Sequence, residues 1–417
     1  MVLWIKYEYF VGDHVSKLKV VLFANTDWYL YNFRISLARK LRDEGFEVIL
    51  LSPDGEYGPR LRELGFRWHC VPMNRRSLNP FMEVSLILWL AQFLKREAPQ
   101  IVHGFTIKSA VYGALAGKLA GVPARVCAVA GLGYVFISRD MKARLLRPLV
   151  RRALRAAMGG QGSALILQNP DDVAVFKSAH LVDERAIRLI KGSGVDVTRF
   201  TIRSYIEGQD RRPLRVLLAA RLLWDKGVGE YVRAARTLSG EHRNVQFLLA
   251  GLPDDGNPAA VSLQQVNSWV EEGIVQWLGH VSDMPRLLSD VDVMALPSYR
   301  EGLPKALIEA AACGLALITT DAPGCREVVS RSGEDGISIP VRDSEALANA
   351  VRLLDDDRAL VRKLGLAARQ KAMQQFDERI VIEKTLEVYR ELLPVLGQDV
   401  GPLEDLPLAE PQGLKAD

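Results

Sequence analysis

Cysteine is scarce in this chain of 417 residues: Cys70, Cys127, Cys313 and Cys325 are the four, and no two stand in a CxxC spacing. That scatter argues against a structural zinc site or a disulfide framework and fits a reducing cytosol. Excess charge of one sign is also lacking. A formal net charge of +4 is too small at this length to mark a dedicated nucleic-acid binder, so no nucleic-acid partner is expected. Long apolar runs are missing: the most apolar window, FMEVSLILWLAQFL at 81–94, carries Glu83 and falls short of the ~20 residues a spanning helix needs. It reads as a buried or interfacial helix. The opening MVLWIKYEYFVGDHVSK contains Lys6, Glu8 and Asp13 and lacks the apolar core of a signal peptide, so no secretion is expected. No short-period repeat occurs, and no Asp-x-Asp stands at the end of a predicted strand.

What is present is alternation. From Lys19, KVVLFAN reads as a buried strand, TDWYLYN as a loop and FRISLARKLRDEG as an amphipathic helix,. FEVILLSP, RWHCVPM, QIVHGF, ARVCAVA and SALILQN continue the strands, with helical stretches between them. The pattern restarts after the polar break YIEGQDRRP at 205–213 with LRVLLAA, VQFLLAG, IVQWLGH, VDVMALP and LALITTD. Short apolar strands alternating with helices predict parallel sheets covered on both faces. The expected fold is α/β, two doubly wound Rossmann-like domains: 1–192, then 193–377, a last helix at 378–396, and a Pro-rich acidic tail at 397–417 read as disordered,. In such sheets ligands bind beyond the carboxyl ends of the strands, which directs attention to the loops there.

Two of those loops stand out. LRVLLAA leads to Arg221, with Lys226 five residues on in ARLLWDKG; a planar guanidinium and a compact ammonium at one strand mouth suit a diphosphate, although solvated loop cations are the ordinary reading. In SYREGLPKALIEA a strand leads through Glu301, Gly302, Leu303 and Pro304 into a helix bearing Glu309. Gly302 permits close backbone approach, Pro304 suits the first helical turn, and the free amides there attract phosphate. Glu309 is placed to accept hydrogen bonds from vicinal hydroxyls. Either glutamate alone is more often a surface charge.

Together these residues resemble glycosyltransferase family 4. E301-GLPKALI-E309 resembles its Glu-x7-Glu motif, Arg221 and Lys226 stand where the family places its donor-phosphate cations, and GSGVDVTRF at 192–200 resembles its interdomain signature. DAPGCREVV matches as well, and the likeness runs over about 19–395. The resemblance implies a GT-B fold with the last helix returning to the first domain. It also implies a nucleotide-sugar donor, preferentially a UDP-sugar, as substrate, no further cofactor or metal, and transfer with retention. By the same resemblance Glu301 would contact sugar hydroxyls and Glu309 the ribose. Arg221 and Lys226 would hold the diphosphate, with the backbone of Gly302 and Leu303 beside it. His280 and Val281 would border the base, and Gly251 opens the loop GLPDDGN, which bears on donor choice. One departure is that Ala130 stands, before Gly131, where many relatives carry a histidine. His103, read at the end of QIVHGF, is then the other acceptor-side candidate for catalysis.

NTDWYLYNFR, AGLGYVF and LILQNPDD resemble the subgroup that extends saccharides on polyprenyl diphosphate. That implies a polyprenyl-diphosphate-linked acceptor in bacterial surface glycan synthesis, and a peripheral place on the inner face of the cytoplasmic membrane. In MKARLLRPLVRRALRAAMGG, Lys142, Arg144, Arg147, Arg151, Arg152 and Arg155 alternate with leucines; a basic amphipathic helix of this kind suits an anionic membrane surface. An ordinary covering helix with a solvated arginine face is the competing reading. For function the alternatives are a soluble sugar acceptor, a sugar-nucleotide epimerase on the same scaffold, and a non-catalytic binding module.

Overall fold

The computed structural model describes residues 8–11, 14–74, 77, 79–129, 141–202, 212–254 and 256–393. Strands β1 (Glu8–Val11) and β2 (His14–Lys17) form a small antiparallel hairpin ahead of the first sheet. That sheet comprises β3 (Lys19–Phe23), β4 (Glu47–Ser52), β5 (Arg67–Cys70), β6 (Ile101–Phe105), β7 (Ala124–Val129), β8 (Ser163–Leu167) and β9 (Ile187–Leu189), in the order β5-β4-β3-β6-β7-β8-β9. The second holds β10 (Leu214–Ala219), β11 (Val245–Ala250), β12 (Gln276–Gly279), β13 (Val293–Leu296), β14 (Ala316–Thr320) and β15 (Ile337–Ile339), ordered β12-β11-β10-β13-β14-β15. All pairings within both sheets are parallel. Each central strand is buried on both sides, which is why the strands read as continuous apolar runs.

Strand order reverses between β3 and β6 in the first sheet and between β10 and β13 in the second. Such switch points leave a crevice at the carboxyl edge, where adjacent loops diverge to opposite faces. On one face of the first sheet Leu22, Val126 and Ile166 pack with Val381, Ile382, Leu386 and Tyr389 of the last helix, Glu378–Leu392. The chain therefore returns to the first sheet after completing the second. Its two crossings lie side by side: Val195 N–H donates to the Phe376 carbonyl at 2.8 Å and Glu378 N–H to that of Val195 at 3.0 Å. Among the described residues no helix is long and apolar enough to cross a membrane.

The structure adjusts several expectations. β9 and β15, three residues each at sheet edges, were too short to carry a pattern. Residues 141–158 form one helix, as read, and it continues through Pro148. His103 lies mid-strand in β6, paired with Leu22 and Val126, not at the strand end. The AGLGYVF segment with Ala130, and the tail from 394 on, fall outside the described residues.

Candidate active site

Neighbouring strands of the second sheet deliver their exit loops as one row. His280 and Val281 follow β12, Gly251 follows β11, Arg221 leaves β10, and Glu301 lies beyond β13. The row crosses the switch point, with Arg221 and Lys226 on one side of it and Glu301 on the other.

Local hydrogen bonds fix the two central loops to each other. The Asp225 carbonyl accepts from Tyr299 N–H at 2.9 Å and from Ser298 Oγ at 3.1 Å. Tyr299 Oη in turn donates to buried Glu230 at 2.9 Å. Held in this way, Lys226 Nζ meets Glu301 Oε1 at 2.5 Å, with both side chains mostly buried. Arg221 is far more open and donates to Asp254 Oδ2 at 2.6 Å. His280 is exposed, whereas Val281 packs against the second core.

The turn after Glu301 is clamped from three sides. Glu301 N–H donates to the Pro323 carbonyl at 3.0 Å. Gly324, at φ +79°, sits so close that a Cβ would fall 2.5 Å from the Glu301 carbonyl oxygen, nearer than such atoms tolerate. From the first sheet, Asn169 Nδ2 donates to the Gly302 carbonyl at 2.8 Å. Pro304 caps the helix Lys305–Ala312 from just outside its first turn. Glu309 lies within that helix, 3.9 Å from Lys305. Burial pushes the Glu309 carboxyl up, opposed by Lys305 and Arg199, and burial lowers the Lys305 ammonium. Lys305 Nζ also donates to the Asn32 carbonyl of the first domain at 2.7 Å and lies 4.4 Å from the Phe33 ring centre.

The carboxyl edges of both sheets thus meet. Asn169 caps the helix Pro170–Ser178, Asp172 of that helix pairs with Arg300, and Asp171 binds Arg326 at 2.9 Å. None of these residues was singled out from sequence as a site residue, although the Asn-Pro-Asp-Asp helix start carried the signal. The Asp-x-Asp at 290–292 precedes β13 and is tied at the far edge, Asp292 to Arg212 and to Arg215 N–H, each at 2.9 Å. Among the described residues no group of three or more His, Cys, Asp or Glu is arranged to hold a metal.

His103 is 1 % exposed, its Nδ1 is 2.7 Å from Tyr389 Oη on the last helix, and its Nε2 has no protein partner. Phe105 covers the ring at 4.1 Å between centroids, and Arg34 lies 4.3 Å from the Phe105 ring centre. A direct encounter with substrate at this ring is therefore closed off by its own sheet and helix. Burial, with Arg34 nearby, holds the imidazole well below its ordinary value. The unfolded chain takes up this proton at a higher pH than the folded one, so stability is complete above about pH 6.5 and falls as pH drops below it, by at most about 1.4 kcal/mol per unit. Acid melts of wild type and His103→Gln check this: the variant is expected to show a shallower slope below pH 6.5, and equal slopes would contradict it.

Two facing parallel sheets, with cations and a glycine-bearing turn at the switch point, define a two-domain α/β architecture of the GT-B kind. The chain belongs to the group 1, family 4-like glycosyltransferases: residues 19–159 match the family described as glycosyl transferase 4-like, and 213–357 match glycosyl transferases group 1. It is 32% identical over 375 residues, 87% of this chain and 96% of the relative, to an N,N'-diacetylbacillosaminyl-diphospho-undecaprenol alpha-1,3-N-acetylgalactosaminyltransferase of Campylobacter jejuni. A UDP-Gal:alpha-D-GlcNAc-diphosphoundecaprenol alpha-1,3-galactosyltransferase of Escherichia coli is 25% identical over 85% of this chain and 91% of its own length. In fold, the chain matches Anabaena HepE, solved in complex with UDP-glucose, with a TM-score of 0.71, 20% identity, and coverage of 89% of this chain and 99% of that one.

Proposed function

We propose that this enzyme moves a hexosyl or N-acetylhexosaminyl group from a UDP-sugar to a polyprenyl-diphosphate-linked saccharide, with retention, at the inner face of the cytoplasmic membrane during bacterial surface glycan assembly. The observation that carries the reading is the identity, sustained over 87% of the chain, to a transferase named for a diphospho-undecaprenol-linked acceptor. Arg221 and Lys226 take the donor diphosphate, Glu301 the sugar hydroxyls and Glu309 the ribose, while Gly302 and Leu303 border the phosphates and sugar, His280 and Val281 border the base, and Gly251 opens the loop that bears on donor choice. Lys226 keeps two protons beyond the one directed at Glu301, so it holds the carboxylate and a phosphate oxygen at once. Charge growing on the departing diphosphate is met by these cations and by helix amides, a role for which no divalent ion is needed. His103 is assigned no contact with the acceptor.

The test is incubation with labelled UDP-sugars, with and without EDTA, offering a polyprenyl-diphosphate saccharide and free sugars in parallel. Retained-configuration product on the lipid-linked saccharide is expected in both conditions. Transfer to free sugars alone, or epimerised donor without transfer, overturns the acceptor reading, and loss with EDTA overturns the cationic one. Glu309→Ala is expected to weaken UDP binding in a folded protein; unchanged affinity removes its assignment.

A further inference from the structure

The helix Pro80–Glu97 carries apolar residues on its outer face as well as on its inner one. Its inner face buries Leu86, Leu90, Phe93 and Leu94 against Val21, Phe23, Ile49 and Val102 of the first sheet. Its outer face leaves Phe81 87% exposed, Leu88 58%, Val84 56% and Met82 51%. Phe81, Val84 and Leu88 recur at helical spacing, so they form one stripe. A cluster of large apolar side chains left in water on one helix marks a surface that is covered in use.

Position supplies the occupant. Because a crossover helix runs antiparallel to its strands, the amino end of this helix, bearing Phe81, Met82 and Val84, lies at the carboxyl edge of the sheet, beside the cleft. Lys108, at the start of the adjoining helix Ile107–Ala120, binds the Asn74 carbonyl and Glu83 there, each at 2.8 Å. The same sheet face is continued by Cys127, Val129, Leu165 and Leu167, over which Leu154, Ala157 and Met158 of the helix Met141–Met158 pack. Three helices therefore share one layer, Pro80–Glu97, Ile107–Ala120 and Met141–Met158, and the outer surface of the third exposes Arg151 and Arg152. An apolar stripe and a cationic flank on one surface match the two layers of an anionic bilayer interface, acyl chains and headgroups.

We propose that the stripe Phe81, Val84 and Leu88, with exposed Met82 beside it in the first turn, inserts into the acyl boundary of an anionic membrane while Arg151 and Arg152 meet its headgroups, docking the cleft mouth onto the surface that presents the acceptor. The inference rests on the lipid-linked acceptor reading for its purpose, but its evidence is separate. Electrostatic attachment fades as the Debye length shortens from about 10 Å at 0.1 M salt to about 3 Å at 1 M, whereas apolar insertion does not.

Sedimentation with phosphatidylglycerol/phosphatidylcholine vesicles at both salts separates the two contributions. Wild type is expected to retain a bound fraction at high salt, and Arg151→Gln/Arg152→Gln to lose only the low-salt increment. Phe81→Ser/Val84→Ser/Leu88→Ser, which alters only exposed positions, is expected to bind on the order of 100-fold more weakly at high salt. Its turnover on a short-chain, water-soluble polyprenyl-diphosphate saccharide should equal wild type, while turnover on the full-length acceptor in vesicles falls on the order of 10-fold or more. A wild type that releases completely at high salt, or a serine variant that binds like wild type, overturns the proposal. So does a serine variant that differs only in losing self-association, since the stripe then joins two copies. Wild type that docks through the stripe yet glycosylates only soluble sugars leaves the docking standing and removes the acceptor reading.

Discussion

Lys226→Ala is expected to lower turnover at saturating donor by roughly 100- to 1,000-fold, about 3–4 kcal/mol of barrier, the cost typical of losing a preorganised charge at a developing anion. Donor affinity should fall much less. The ammonium sits at the exit of β10, across the switch point from Glu301, in a loop whose carbonyl at Asp225 is held by Ser298 and Tyr299. Under the proposed assignment, such anchoring would fix the charge before the reaction, with no reorganisation needed as the β-phosphate gains charge. Loss of the lysine also strands Glu301, whose side chain is only 12% exposed. A thermal melt, together with the double variant Lys226→Ala/Glu301→Gln, separates that stability cost from catalysis. The expected pattern is a reduced kcat for Lys226→Ala, with melting returned toward normal in the double variant, whose own kcat also carries the change at Glu301. Unchanged kcat under donor saturation would mean that Lys226 does not meet the leaving group.

Much of this arrangement was legible from the chain alone, because both determinants are local. Central strands such as LRVLLAA and VDVMALP are buried on both faces and spell themselves as apolar runs, and the loops after them begin at those runs. Arg221, Lys226, Glu301 and Gly302 could thus be assigned to one edge before any coordinates. What escaped depends on contacts distant in the chain. Asn169 reaches Gly302 across 133 positions and Lys305 reaches Asn32 across 273, and no window of residues encodes such a meeting. His103 was misplaced for a related reason: a histidine in a strand reads as polar and hence terminal, yet Tyr389, from the far end of the chain, supplies the partner that allows burial mid-strand,. The window 81–94 was ambiguous because apolar residues occupy both its faces. Only the fold distinguishes the face that meets β3 from the one left bare.

Gly251→Ala is expected to disable the donor side altogether. Gly251 sits at φ +135°, and a Cβ there would lie 1.8 Å from the Ala220 carbonyl oxygen, a backbone atom that cannot turn aside. Relief requires the exits of β10 and β11 to part. That movement strains the Gly251 N–H bond to the Gly279 carbonyl at 2.7 Å and the Trp277 Nε1 bond to the Gly251 carbonyl at 2.9 Å. Arg221, one residue beyond Ala220, and its partner Asp254, three beyond Gly251, would be displaced with them. Backbone overlap of this kind ranks with the most costly single substitutions, on the order of 4 kcal/mol or more, and should lower Tm by about 10 °C. Gly273→Ala provides the comparison, because that glycine also has a positive φ, +71°, but nothing lies within 4 Å of its Cβ position. It should cost only about 1–2 kcal/mol, the conformational penalty alone, and leave UDP binding intact. Calorimetric titration of UDP into both variants, beside their melting curves, is the measurement. Equal melting temperatures for the two variants, with UDP affinity retained in Gly251→Ala, would show that the exits of β10 and β11 are free to separate and that their close approach is not what orders Arg221.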